Sequence, residues 1–422
     1  MRAALWFLAI FAAAVGIALF ASNSEGMVTL FWPPHRVDMS LNLVLLLLVA
    51  AFVLLHLALR ALAALLDLPS QAKAWRTTQR ERAMHTELQA AMAHLLAGRF
   101  SRARKLAIES AQHAGALGEG VAHSTQAKAM AHLVAAEAAQ ALQDLPLRDA
   151  QLQAALSQSL PKNASAVHEG AQLRAARWAL NERDPTSALS HLAQLPQGAQ
   201  RRTLALRLKL RAARFAKQSH VALDTARLLA KHGAFSPSAA QSMLRSLAMD
   251  TLTDAHDAAQ IQRAWDGLST AERMQHEVAT HAALRLVNVC AGTPEASAQQ
   301  QRARQWLQSA WDSYPSLNDN VQSRLVQALE ATFETIDTVW LGKIEAAQRQ
   351  LPHDGRLQYL AGMACMKREL WGKAQQLLSL ATLDAKDDVL KRRSWRALAE
   401  LAEQRGDMQA AAKAWRSAAI GK

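Results

Sequence analysis

The sequence has 422 residues and a formal charge of +13 at neutral pH, and half of it is hydrophobic although only 5% is aromatic. Its apolar content is mostly Ala and Leu, which lose little side-chain entropy in a helix, so an all-α fold is expected. Cys290 and Cys365 are the only cysteines and have no Cys-x-x-Cys context. That excludes a disulfide framework, a zinc knuckle and a covalent haem attachment, and fits a reducing compartment.

Residues 3–21 carry no charge, and at about 1.5 Å per residue they span about 28 Å, close to a bilayer core. Residues 41–59 repeat the pattern, with Asn42 and His56 near the ends, where polar groups reach the headgroups. The sequence thus predicts a membrane anchor over 1–66, with transmembrane helices at about 3–21 and 41–60 and a short periplasmic loop at 22–40. The basic start and the small residues at 22–24 also resemble a secretory signal peptide, a reading that leaves the second span in place. Within the loop, residues 26–32 read as a short strand or as an interfacial aromatic anchor, ended by Pro33 and Pro34. Arg36 is the loop's one Arg or Lys, whereas Arg60, Lys73, Arg76, Arg80 and Arg82 follow the second span. This asymmetry predicts that both ends of the chain face the cytoplasm from a bacterial inner membrane.

A basic juxtamembrane linker is expected at 67–84, followed by amphipathic helices separated by short polar turns. Their spacing predicts antiparallel helix pairs of the TPR-like kind, with small residues where the second helix crosses the first. Ala103, Ala150, Ala188 and Ala222 mark those crossings in N-terminal repeats over 85–235. Ala374 and Ala411 mark them in a C-terminal pair over 352–422, where Gly362, Trp395, Ala399 and Trp415 take the other packing positions. Divergent helical repeats fill 236–351 without a readable register. The predicted architecture is a two-helix transmembrane hairpin followed by a TPR-like α-solenoid.

Local signatures of catalysis are missing: there is no Walker A loop, no G-x-S-x-G elbow and no G-x-G-x-x-G. His276, Glu277 and His281 approach a zinc-protease helix, but a spacing of five turns the second imidazole by about 140° around the helix. His94, His132 and His191 read as polar-face or interhelix residues, and Cys365, Met363 and Met366 as packing. No catalytic or metal-ligating residue is assigned. The stretch between Asp184 and Asp224 holds no acid but seven cations, Arg201, Arg202, Arg207, Lys209, Arg211, Arg214 and Lys217. Arg207, Arg211 and Arg214 share one helix face, with Leu206, Leu210 and Ala213 on an adjoining packing side. This face reads either as a surface for an anionic partner or as a solvated face. Phe215 is the one aromatic nearby, so nucleic-acid binding by stacking has little support.

Four pieces carry a family resemblance: Gly26, Val28, Leu30 and Trp32 in the loop; Gly98, Arg99, Phe100 and Ala103 after the anchor; HLVAAEAAQ over 132–140; and ELWGKAQQLL over 369–378. In this order they resemble the HemY family of proteobacterial membrane TPR proteins, which is linked to haem biosynthesis, across nearly the whole chain. The resemblance implies a scaffold that acts late in protohaem synthesis by holding enzymes together or guiding a porphyrin. Haem or porphyrin is the ligand it brings into view, and it carries over no catalytic residue. The flavin-dependent protoporphyrinogen oxidases that share the name need a dinucleotide-binding glycine motif that this sequence lacks. Two alternatives stand beside this reading: a general membrane TPR assembly or quality-control adaptor, and an enzyme whose site is assembled from distant residues.

Overall fold

A computed structural model describes residues 26–118, 123–160 and 164–420, together with residues 13 and 16. The first expected span, over 3–21, lies outside the described residues apart from those two. The described chain begins with an antiparallel hairpin, β1 (Met27–Trp32) and β2 (His35–Ser40), joined at Pro33 and Pro34. β1 is one of the two readings of this segment. β2 is new, because HRVDMS is too polar to read as a strand without its partner.

Ser40 ends the hairpin and caps helix α1 (Leu41–Leu96), its hydroxyl accepting from the Leu43 N–H at 3.4 Å. α1 is continuous for 56 residues, so the expected linker at 67–84 is helix instead. Ala, Gln, Arg and Glu make up half of that stretch and are good helix formers, and Pro69, inside α1, removes one backbone donor without ending it. The apolar first part of α1 is long enough to cross a membrane and is not buried by any of the described residues.

The chain divides into two compact units, Met1–Val167 and His168–Lys422. The first contains α1, α2 (Phe100–Leu117), α3 (Ser124–Ala141) and α4 (Leu145–Leu156). Met84, Leu88 and Ala91 of α1 close on Ala107, Ala111 and Ala114 of α2 and on Ala127, Ala131 and Val134 of α3. These alanines bring the backbones near enough for Ser110 to donate its hydroxyl to the Met84 carbonyl at 2.8 Å.

α5 (Ser165–Asn181) leads into the second unit, which continues through α6 (Pro185–Ala193), α7 (Gln197–Gln200), α8 (Thr203–Phe215), α9 (Ser219–Lys231) and α10 (Pro237–Thr253). It goes on with α11 (Ala258–Asp266), α12 (Thr270–Arg273), α13 (His276–Cys290), α14 (Ala296–Asp312), α15 (Asp319–Glu330) and α16 (Thr338–Gln350). α17 (Gly355–Lys367), α18 (Trp371–Asp384), α19 (Asp388–Gln404) and α20 (Met408–Ile420) end it. The first helices of successive pairs pack on one another, α13 on α15, α15 on α17 and α17 on α19. The described fold is all-α and TPR-like apart from the hairpin.

One turn recurs within the pairs. Before α2, α4, α6, α9, α18 and α20, a residue with φ between 54° and 78° ends the first helix: Gly98, Gln143, Arg183, Lys217, Glu369 and Gly406. The next N–H then bonds back five residues at 2.8–2.9 Å, as Arg99 to His94, Asp144 to Ala139, Asp184 to Ala179, Gln218 to Ala213, Leu370 to Cys365 and Asp407 to Ala402. This Schellman-type closure satisfies carbonyls at the end of one helix while starting the next.

The fourth residue of each second helix then faces inward: Ala103, Ala188, Ala222, Ala374 and Ala411 are buried there. In α4 that place belongs to Arg148, which is buried and donates to the Gln140 side chain at 2.6 Å, whereas Ala150 is exposed. The sequence-based register of this pair is therefore corrected by two residues. Asp144 caps α4 and Asp184 caps α6, and counting from those caps rather than from the nearest alanine gives the right place. Helix pairing continues through 236–351, where α10 packs on α11, α13 on α14 and α16 on α17. There the recurring turn is replaced by the inserted α12 and by a 3-10 turn at Phe333–Thr335, which hid the register.

Two glycines of the second unit should respond oppositely to Ala. A Cβ at Gly355 would meet the Ala385 N at 2.6 Å and its Cα at 2.7 Å, both backbone, while one at Gly342 would meet nothing within 4 Å. Gly355→Ala should destabilise α17 and α18 by about 1–3 kcal/mol. Gly342→Ala should stabilise its exposed helix by up to about 1 kcal/mol. Hydrogen exchange of the local amides checks both, and equal protection in the two variants would contradict the close approach.

Candidate functional site

The unpaired cations of α8 follow from its amphipathic sequence. Ala205, Leu206, Leu208, Leu210, Ala212 and Ala213 are buried, which leaves Arg207, Arg211 and Arg214 on the exposed side. Arg207 donates weakly to the Ala234 carbonyl at 3.4 Å, and the Arg211 guanidinium lies 5.5 Å from the centroid of the Phe215 ring. Among the described residues no carboxylate pairs with these three arginines. Arg202, by contrast, donates to Glu169 at 2.6 Å and is no longer free. Leu204 and Phe215 are exposed beside the cations, so the face combines apolar contact with donors for an anion.

A second feature, absent from the sequence-based expectations, is a cavity of about 630 Å³ bordered by α15, α17 and α19. Arg324, His353, Arg356, Lys386 and Arg393 line it together with Asp319, Asp354, Asp384 and Asp387. Arg356 is held by Asp354 at 3.3 Å and Asp319 at 3.0 Å, and Arg393 donates to Glu330 at 2.6 Å. Tyr314 donates to Asp354 at 2.9 Å and Tyr359 to Glu330 at 2.6 Å. Burial, and then the neighbouring carboxylate, pushes both phenols upward. Burial also raises Glu330 against the hydrogen bond from Tyr359 and the attraction of Arg393. The wall residues come from three helices and the junctions that precede α17 and α19, far apart in sequence, which is why no local motif announces them.

The remaining singled-out residues are structural in placement. Gly362, Ala374, Ala399 and Ala411 are buried, Trp395 is half-buried, and the exposed Trp415 indole donates to Glu403 at 2.7 Å. Burial pushes the Cys365 thiol up to about 11, as expected of a packing residue. His132 meets Gln151 at 2.7 Å in the first unit, and His191 meets Gln172 at 2.8 Å in the second. These two interhelix pairs are one repeat apart with the His and Gln exchanged. His281 meets the Thr253 hydroxyl at 2.9 Å while Glu277 accepts from Arg245 at 2.9 Å, so these two side chains turn to different partners.

Acid should weaken the second unit through two half-buried imidazoles. Burial lowers His191, with Asp184 opposing, and burial followed by repulsion from Arg285 and Arg324 lowers His281 below the ordinary 6.5. The folded chain therefore binds fewer protons than the unfolded one near and below that value. Their contribution is complete above pH 6.5 and is lost as pH falls toward the depressed folded values. His281→Asn should flatten the fall in urea midpoint between about pH 7.5 and pH 5.5. An unchanged slope would remove His281 from the account.

Residues 26–143 match the family described as HemY protein N-terminus. Among solved structures, the chain is similar to Naa15/Naa10 bound to HypK-THB at 14% identity, with TM-score 0.24, covering 76% of this chain and 56% of that one. It is also similar to the P58(IPK) TPR domain at 11% identity, with TM-score 0.22, covering 76% and 99%. The chain thus spans little more than half the length of the first. No curated protein matches it. The matched region takes in the hairpin and α1 to α3, and over that region the chain is similar to the N-terminal part of HemY proteins.

Proposed function

We propose that the chain is a membrane-anchored, non-catalytic scaffold that organises protein partners, those of late haem biosynthesis being the ones its family points to. The observation that carries this reading is the exposed face of Arg207, Arg211 and Arg214, left without carboxylate partners beside exposed Leu204 and Phe215. Such a face suits an acidic protein surface, and tethering it to a bilayer raises the local concentration of whatever it holds.

A tetrapyrrole is the weaker occupant. A porphyrin presents two propionates beside a flat apolar ring, and the cavity bordered by α15, α17 and α19 does not fit that dianion. Asp319, Asp354 and Glu330 already hold its Arg356 and Arg393, and Asp384 and Asp387 add carboxylates to its wall. The arginines of α8 stand exposed on a single helix rather than around a ring. The protein partner is therefore preferred.

Orientation rests on charge. The basic residues that follow the apolar part of α1 support a multi-pass inner-membrane protein with its repeats in the cytoplasm. A reporter that is active only in the periplasm should stay inactive when fused after residue 422. Activity there, with intact membranes, would reverse the topology.

Changing Arg207, Arg211 and Arg214 together to Gln should lower the recovery of co-purifying proteins from native membranes by about ten-fold, roughly 1.4 kcal/mol, and flatten its salt dependence. Helical circular dichroism should not change, because exposed substitutions typically alter stability by less than about 0.5 kcal/mol. A control carrying Lys391→Gln, Arg392→Gln and Arg396→Gln separates a site from lost net charge. Equal recovery with all three proteins would make the α8 face a solvated surface.

A further inference from the structure

The loop motif Gly26, Val28, Leu30 and Trp32 is absorbed neither by the repeats nor by the arginine face. Its period of two acquires a meaning from the strand register. Val28 pairs with Met39, Leu30 with Val37 and Trp32 with His35, whereas Thr29 pairs with Asp38 and Phe31 with Arg36. Directly paired residues project to the same face, and successive residues to opposite faces. One face of the hairpin is therefore Val28, Leu30, Trp32, Val37 and Met39, with His35 at its turn. The other carries Thr29, Arg36, Asp38 and Ser40, together with Met27 and Phe31. Arg36 donates to Asp38 at 3.2 Å and lies 5.4 Å from the Phe31 ring centroid, so the charges of this second face are organised among themselves.

A two-stranded hairpin is marginal in water unless something covers its apolar face. Leu30 is 52% exposed, Trp32 74% and Val37 46%. What lies beside it is the apolar part of α1. The Leu41 N–H donates to the Gly26 carbonyl at 2.8 Å, extending the ladder to the helix, and Ser40 is both the last strand residue and the helix cap. No linker separates the hairpin from α1, so it starts where the helix leaves its apolar surroundings.

We infer that the hairpin lies at the boundary between lipid and water, with Val28, Leu30, Trp32, Val37 and Met39 against the lipid and Thr29, Arg36 and Asp38 toward water. This rests on the reading of α1 as a membrane span. An indole at that depth keeps its apolar body in the hydrocarbon margin and its N–H among headgroups. The hairpin then fixes the depth and rotation of α1, because a one-residue shift of register would exchange its two faces.

The test uses the full chain with Cys290 and Cys365 changed to Ala, reconstituted in phosphatidylethanolamine and phosphatidylglycerol vesicles, some carrying a nitroxide near the headgroup and others a nitroxide deep in the acyl chain. Single cysteines are introduced as Leu30→Cys, Val37→Cys, Thr29→Cys, Asp38→Cys and, within α1, Val53→Cys, each labelled with an environment-sensitive fluorophore. Labels at 30 and 37 should be blue-shifted, quenched by the nitroxide lipid and shielded from iodide, and those at 29 and 38 should show the reverse. Iodide quenching at 30 and 37 equal to that at 29 would place the hairpin in water and overturn the inference. Shielding at 30 and 37 from both quenchers would overturn it in favour of a protein cover, whether a second copy or the residues before 26. Val53→Cys should be quenched only by a deep nitroxide; failure there overturns the span and the inference with it, whereas success there with failure at 30 and 37 overturns the inference alone.

Discussion

The distance between paired helices in this chain is set by what an alanine allows. Where Ala103, Ala188, Ala222, Ala374 and Ala411 face inward, the second helix can approach the first closely, and larger residues nearby then fill the space around the contact. The constraint has two parts, because a small residue helps only if the turn delivers it to the crossing. The left-handed residue and the five-residue back-bond do that by fixing where the second helix starts. Gly98 and Gly406 adopt the required φ freely, whereas Gln143, Arg183, Lys217 and Glu369 hold it against an intrinsic preference of about 1–2 kcal/mol.

This explains what was legible in the sequence. Helix composition and the alanine spacing are local properties, so the all-α class and most of the crossing residues could be read directly. Ala150 shows how the reading fails. An alanine near the right place was taken for the crossing, but the turn at Gln143 and the Asp144 cap start α4 so that Arg148 arrives there, made acceptable by the Gln140 side chain. Across 236–351 the alanine signal weakens because the junctions are built otherwise. Tyr314, Arg304 and Gln322 bond to backbone or side chains of other segments, and such long-range partners leave no periodic trace.

The arginine face and the cavity differ in the same respect. Three arginines on one turn-spaced face can be seen in the sequence because helical periodicity places them together, and the missing acids nearby forecast that no local carboxylate would neutralise them. Arg202 escaped that forecast because Glu169 reaches it from another helix. The cavity could not be foreseen at all, since Asp319, Asp354, Asp384 and Arg393 approach one another only after α15, α17 and α19 have packed. Its cations and carboxylates largely satisfy one another, which makes it a braced junction between repeats, while the three arginines of α8 have no carboxylate partner among the described residues.

The N-terminal region answers to a different solvent rule. Within the repeats, apolar residues are hidden by neighbouring helices, but the first part of α1 and much of one face of the hairpin have no such cover among the described residues. A helix satisfies its backbone polar groups along its own axis and therefore tolerates hydrocarbon; a two-stranded ribbon leaves both outer edges unsatisfied and does not. The hairpin consequently belongs where its edges can reach water or headgroups while its apolar face does not have to. Ser40, which closes the strand and caps the helix in one residue, is the point at which the period changes from two to 3.6, and with it the environment that the chain can occupy.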